Sequence, residues 1–429
     1  MIRLASLISA LLFTGLFCQA QQVPPRVCID SLFARSSPCE PSIAIDPNNP
    51  ALMVAGSVLN RVYHSTDSGK TWVGRSLESE YGVWGDPVLI PGDSGVFYYF
   101  HLSDPTGKNW RSDEILDRIV CERSGDGGAT FLTAGYAGLN TPKDQDKHWA
   151  IYDPVRQTIH LTWTEFDDYG SEDTSAHSRI LYSCSADDGA TWTPALKISE
   201  REGNCIDGDE TTEGAVPAVG PNHEVYVSWA YDSKIWFDRS LDSGATWLPV
   251  DRIIGQQPGG WDIDIPGINR ANGMPVTVCD LSQGPYRGRI YVSWVDERRG
   301  NYDVWLISSD DRGESWSEPR IIGEQNTESD QFFVWIDVDD ITGYLYAVYY
   351  DRHGLMGNAT HVTLAISMDG GGHFNTQHLT EDPFTPTRGT FFGDYNNIAA
   401  HNGIIRPIWT EMHDGKNSIW TSLIQKKTE

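Results

Sequence analysis

Residues 64–72 read HSTDSGKTW, a serine, an aspartate, a glycine and a tryptophan at fixed offsets between two strand-like stretches. Alone it reads as a turn, because an Asp carboxylate accepts from nearby backbone N–H groups and Gly takes positive φ without strain. Recurrence changes its meaning. The pattern Ser-x-Asp-x-Gly-x-Thr/Ser-aromatic returns as SGDGGATF (124–131), SADDGATW (185–192), SLDSGATW (240–247), SDDRGESW (309–316) and a worn SMDGGGHF (367–374). The start-to-start spacings are 59, 61, 55, 69 and 58 residues, too regular for chance and too long for a helical repeat.

The text around each copy is strand-like. Two short apolar or alternating runs precede it, as in PSIAID then ALMVAGS, HWAIYD then TIHLTWTE, or MPVTVCD then RIYVSWVD, and another short strand follows. Four short strands per unit, with no helical periodicity, predict an all-β fold built as a β-propeller of four-stranded blades. First strands begin near Pro41, Pro87, His148, Ala215, Met274, Phe332 and Asp394, which counts seven. The last unit (GDYNNIAAH, GIIRPIWTE, SIWTSLIQ) stops after three strands, and PPRVCID (24–30) is the candidate to complete it. Seven blades are therefore favoured; six, the number of turn copies, is the alternative.

The repeated turn resembles the Asp-box, or BNR repeat, of the sialidase superfamily, and the resemblance covers residues 21–429 almost end to end. It implies that each turn joins the third and fourth strands of a blade, with its aromatic packed between blades. It also implies that these turns lie on the rim away from the catalytic mouth. Function is then to be sought where first strands start and where second strands hand over to third strands. The first group contains Trp84 and Asp86; Asp146, Lys147, His148 and Trp149; Glu210 and Glu213; Arg270; Asp330; and Asp394 with Tyr395. The second contains Glu165, Asp232, Asp296 with Arg298 and Arg299, Asp351 with Arg352 and His353, and Glu411. The carboxylates of the second group recur as WTE, WAYD, WVDE, YYD and WTE, which favours a scaffold role.

The resemblance implies glycan chemistry. Sialidases clamp the sugar carboxylate with three arginines, one of them in a Phe/Tyr-Arg-Ile-Pro motif, and use an Asp acid/base with a Tyr–Glu nucleophile pair. Here Cys39 stands at that first arginine's place, and GSVLNRVYHS, before the first turn copy, offers no carboxylate. Placement rather than motif therefore nominates Asp86, Glu213, Asp394 and Tyr395 as catalytic candidates. By the same route His148, Trp149, Arg270, Arg299 and Arg352 are substrate-binding candidates. Three readings follow: a glycoside hydrolase, exo-sialidase-like if the family chemistry holds; a non-catalytic glycan- or protein-binding propeller; and a lyase acting on uronic-acid polymers, with His148 or Tyr395 as base.

Partners and compartment follow from the rest of the chain. The opening MIRLASLISALLFTGLFCQA has the charged start, apolar stretch and small-residue end of a secretory signal peptide, predicting cleavage near Ala20 and a secreted or periplasmic product. Residues 21–429 then form a single propeller domain, with 21–35 carrying the ring-closing strand and a monomer as the expected state. A formal charge of −27, from 32 basic and 59 acidic groups, argues against nucleic acid or an anionic membrane surface and leaves a glycan or polysaccharide as partner. The cysteines after Cys18 are Cys28, Cys39, Cys121, Cys184, Cys205 and Cys279, compatible with one to three disulfides, with Cys28–Cys39 and Cys184–Cys205 closest in sequence. No cofactor or metal is expected. DGDE (207–210) and WDIDIPG (261–267) are acidic enough to hold a structural Ca²⁺, but a solvated acidic loop is the plainer reading.

Overall fold

The computed structural model describes residues 23–31, 37–323 and 328–426; the segment expected to be a signal peptide lies outside them. Seven antiparallel sheets are arranged as the blades of a β-propeller. Their innermost strands are Ser42–Ile45, Gly85–Pro91, Asp144–Asp153, Glu213–Val219, Val276–Cys279, Gln331–Val338 and Asn397–His401. Blades 1 to 6 each run outward through four consecutive strands. Blade 7 takes its outermost strand from the other terminus: Arg26–Asp30 pairs antiparallel with Lys416–Ser422, Arg26 opposite Ser422. Tyr63 Oη donates to Asp30 Oδ2 at 2.5 Å, fastening that strand to blade 1.

The repeated turn explains its own sequence. In the first copy Asp67 Oδ1 accepts from Thr71 N (2.9 Å) and Ser65 Oγ (2.9 Å), and Oδ2 from Thr71 Oγ1 (2.7 Å), while Ser65 Oγ accepts from Gly69 N (2.9 Å). The glycine meets two demands at once, positive φ and close approach to the preceding blade. At Gly244 φ is 88°, and a Cβ would lie 1.8 Å from Tyr182 Oη of blade 3. Arginines of the preceding blade cap the turn carbonyls: Arg252 donates to Gly313 O (2.9 Å) and Arg289 to Gly370 O (2.9 Å). The same contact closes the ring, since Arg406 of blade 7 donates to Ser68 O at 2.8 Å. Trp72 packs against a cluster that joins Ile43, Ala55 and Tyr63 of blade 1 to Ile408 and Ile419 of blade 7, the between-blade place expected of it. Recurrence thus reports a contact between neighbouring blades as well as a turn.

The recurrent Trp-x-acid pairs are also scaffold. Trp163, Trp229, Trp294 and Trp409 are fully buried. Asp296 accepts from Trp294 Nε1 (2.7 Å) and Glu411 from Trp409 Nε1 (2.9 Å), while Glu165 accepts from Asn140 (2.8 Å) and Arg179 (2.9 Å). The disulfide expectation is corrected, because all six described cysteines are unpaired. Cys184 lies at the turn end of the Ser178–Ser185 strand, whereas Cys205 packs with Phe166 and Ala176 near its start, a strand length of roughly 20 Å away. Among the described residues no helix is long and apolar enough to cross a membrane.

Candidate active site

The first strands of blades 2, 3, 4 and 6 share an irregularity that the sequence reading missed. Each carries a β-bulge near its start, where two residues oppose one: Asp86–Pro87, Lys147–His148, Gly214–Ala215 and Phe333–Val334. The first bulge residue has positive φ in every case: 50° at Asp86, 49° at Lys147, 73° at Gly214 and 51° at Phe333. Glu40, leading into blade 1, adds another at 53°. Such backbone costs a non-glycine residue about 1–3 kcal/mol and concentrates where a side chain must be aimed. Here two of the bulges set Asp86 and Lys147 at one mouth of the channel.

That mouth is a cavity of about 210 Å³ whose lining includes Glu40, Asp86, Asp146, Lys147 and Arg270. Its floor is an ion-pair cluster. Asp394, 2 % exposed, accepts from Lys147 Nζ at 3.0 Å and from Arg270 Nε at 3.0 Å, with Arg270 Nη2 on its other oxygen. Arg270 Nη1 lies 3.2 Å from Asp207 Oδ2, which also accepts from Tyr169 Oη at 2.6 Å. The backbone N–H of Asp394 donates to Glu40 Oε1 (3.2 Å), and Asn272 Nδ2 donates to Asp394 O (3.1 Å). Arg270 reaches the site because its loop is pinned by a short ladder, Asp262–Ile263 against Ala271–Asn272.

The carboxyl groups titrate differently according to their surroundings. Burial alone would raise Asp394, but Lys147 and Arg270 hold it below the usual carboxylate range. Burial lifts Asp146 to about 7, with Lys147 opposing the shift and Asp86 and Asp207 reinforcing it. Glu40 is pushed well up by burial and by the charges of Asp86 and Asp394. Glu213 is pushed well up by burial and by Asp207 beside it. An ionised anchor, neutral acids and an acid poised near neutrality therefore share one site.

One wall of the mouth is aromatic. Trp84 and Trp110 meet edge to face at 5.9 Å, Trp110 stacks on Tyr169 at 5.6 Å and 20°, and Arg270 sits 5.3 Å over Phe391. Trp110 is 54 % exposed, an unusual cost for a large apolar surface that a ligand could cover.

The structure sorts the residues nominated from sequence. Asp86 and Arg270 line the mouth, Asp394 lies at its floor, and Glu213 sits fully buried against the same cluster. Five nominations are absent from the mouth lining. Tyr395 is buried, packs edge to face on Trp149 at 5.1 Å, and burial pushes its phenol well up. His148, the second residue of its bulge, is buried and burial lowers it to about 3, which keeps it neutral and away from a ligand. Arg352 is buried and donates to Pro266 O (2.7 Å) and Thr360 Oγ1 (3.2 Å), bracing the loop that carries Arg270. Trp149 lines the opposite, apolar half of the channel and packs 4.3 Å from Trp335. Arg299 is exposed on the hairpin after Asp296 and is absent from the mouth lining. Missed were Glu40, Asp207, Tyr169, Trp110 and Phe391, which sit on connections with no periodic signal. The acidic loops are engaged internally, Asp207 by Arg270 and Tyr169, and Asp209 by the Asp262 N–H at 2.9 Å. Among the described residues no group of three or more His, Cys, Asp or Glu is placed to hold a metal ion.

No protein-family model matches the chain, and no curated protein matches it in sequence. Solved structures share the fold. A PL25 ulvan lyase bound to -[GlcA(1-4)Rha3S]- superposes with a TM-score of 0.53 at 13% identity, covering 94% of this chain and 96% of that one. The α-L-arabinofuranosidase Arb93A from Fusarium graminearum gives 0.51 at 12%, covering 94% and 98%. The NanB sialidase from Streptococcus pneumoniae gives 0.50 at 12%, covering 79% and 67%. At these identities the likeness is one of architecture, and function must be argued from the site.

Proposed function

We propose that the protein is a secreted glycoside hydrolase acting at the bulge-lined mouth, with Asp146 as general acid and Asp86 as the second carboxylate. The observation that carries this reading is the pairing of Asp146, held near neutrality, with Asp86 in one cavity beside an aromatic wall. Glycosidic hydrolysis needs a carboxylic acid still protonated at working pH and a second, ionised carboxylate. Asp146 gives its proton to the leaving glycosidic oxygen as the C–O bond breaks, and Asp86 takes the proton of the attacking water or stabilises the cationic sugar. Asp394 cannot share the acid role, because its two cationic partners keep it ionised. The propeller neighbours described as an arabinofuranosidase and a sialidase are compatible with this reading. The bases expected for the lyase alternative, His148 and Tyr395, do not line this mouth.

The test is turnover on a panel of glycosides by wild type, Asp86→Asn and Asp146→Asn. Loss of a proton-transfer group costs about 10²–10⁴-fold. Activity unchanged in both variants, or absent from the wild type across a broad panel, would remove the assignment.

A further inference from the structure

We infer that the mouth is built for an uncharged saccharide and discriminates against sugars bearing a carboxylate or sulfate. For turnover the inference rests on the hydrolase reading; for recognition it rests on the ion pairs themselves.

Among the described residues lining the mouth, the cations are Lys147 and Arg270. Both are already spent. Recognition of an anionic sugar uses the forked face of a guanidinium, two parallel N–H groups against two oxygens. On Arg270 that face, Nε with Nη2, is filled by both oxygens of Asp394, and the remaining Nη1 faces Asp207. Lys147, 5 % exposed, points its ammonium at the same Asp394. An incoming carboxylate would have to displace Asp394, stranding an anion buried to 2 % exposure. The chain supplies its own carboxylate where an acidic sugar would dock.

What stays free suits hydroxyl groups and ring faces. Asp86 offers a carboxylate acceptor, Asp146 a proton donor, and exposed Trp110 and Phe391 offer apolar faces against which C–H surfaces of a neutral ring can lie. The nearby charge is acidic in excess, as is the whole chain at −27, so an approaching polyanion is repelled at long range as well.

The experiment is a binding comparison on the whole mature protein by ligand-observed NMR. It uses neutral arabino-, galacto-, gluco-, xylo- and manno-oligosaccharides against galacturonate oligomers, sialyllactose and a sulfated oligosaccharide. At least one neutral ligand is expected to bind, weakened about tenfold or more by Trp110→Ala and insensitive to salt, with acidic counterparts at least about tenfold weaker. Asp394→Asn frees the Arg270 fork and is expected to gain affinity for acidic ligands. Should that variant not fold, the wild-type comparison decides alone. The inference is overturned if no neutral ligand binds, or if the wild type binds an acidic ligand as well as its neutral counterpart and loses it in Arg270→Met. Neutral binding without cleavage would remove the hydrolase reading and leave this one standing. Cleavage of a sialoside or uronate would do the reverse.

Discussion

Replacing Asp394 by Asn tests whether the floor of the mouth is an ion-pair cluster or a chance arrangement. The substitution keeps the volume and deletes the charge that holds Lys147 Nζ at 3.0 Å and both forks of Arg270. At 3.0 Å and an effective dielectric of about 20, one such pair is worth on the order of 5 kcal/mol before desolvation. Removing one partner of a buried pair typically costs about 3–5 kcal/mol, because the other charge is left in place without its partner. Lys147 is 5 % exposed and cannot turn to solvent, so a loss in that range is expected, read as a lowered urea midpoint by tryptophan fluorescence. The double variant Asp394→Asn/Lys147→Met should recover part of the loss, since removing both charges leaves no stranded ammonium. A second effect has a definite sign. Lys147 lowers the proton affinity of Asp146, and once freed from Asp394 it should do so more strongly, moving the alkaline limb of activity to lower pH. A loss under about 1 kcal/mol, or a double variant no more stable than the single one, would refute the reasoning.

Other consequences are open to measurement. With Asp146 lifted to about 7, kcat should fall as pH rises through neutrality while the general acid deprotonates. Its folded proton affinity exceeds its unfolded one, so stability should decline between about pH 4 and 7, and Asp146→Asn should flatten that slope in pH-dependent denaturation. The repeated-turn carboxylates behave oppositely. Hydrogen bonds from Thr71, Thr191 and Thr246 depress Asp67, Asp187 and Asp242, and Ser315 lowers Asp311 to about 2. The stability they contribute is present above the ordinary Asp range and is lost as pH falls through the depressed values, so acid unfolding followed by circular dichroism should begin earlier in Asp311→Asn. Gly244→Ala should cost about 2–5 kcal/mol, from positive φ plus the clash with Tyr182. Gly95→Ala, at φ 76° with nothing within 4 Å, should cost only about 1–2 kcal/mol, and equal losses in thermal melts would show that inter-blade contact is unimportant.

Blade architecture could be read from the chain because its causes are local. A serine, an aspartate and a glycine at offsets 0, 2 and 4 form one hydrogen-bonded turn wherever they occur, and alternating apolar runs on either side make strands. Counting first strands instead of turn copies separates seven from six, since blade 7 has no copy of the turn. Recurrence likewise marked the Trp-x-acid pairs as scaffold before any contact was known.

The site was legible only as a set of strand starts. Asp86, Arg270 and Asp394 could be placed at the mouth from sequence, but not their relations. The Asp394 carboxylate occupies the arginine fork across 124 residues and the lysine across 247, and its backbone N–H reaches Glu40 across 354. Nor did any local pattern announce the bulges at Asp86, Lys147, Gly214 and Phe333, three of which set a non-glycine residue at positive φ. Those bulges put Asp86 and Lys147 into the mouth lining, while the next residue, His148, is buried. Strand, turn and blade count are properties of contiguous residues, and the sequence by itself determined them. Which carboxyl is ionised, which is neutral and which cation is free depends on burial and on charges brought together by ring closure, and only the tertiary structure decided that.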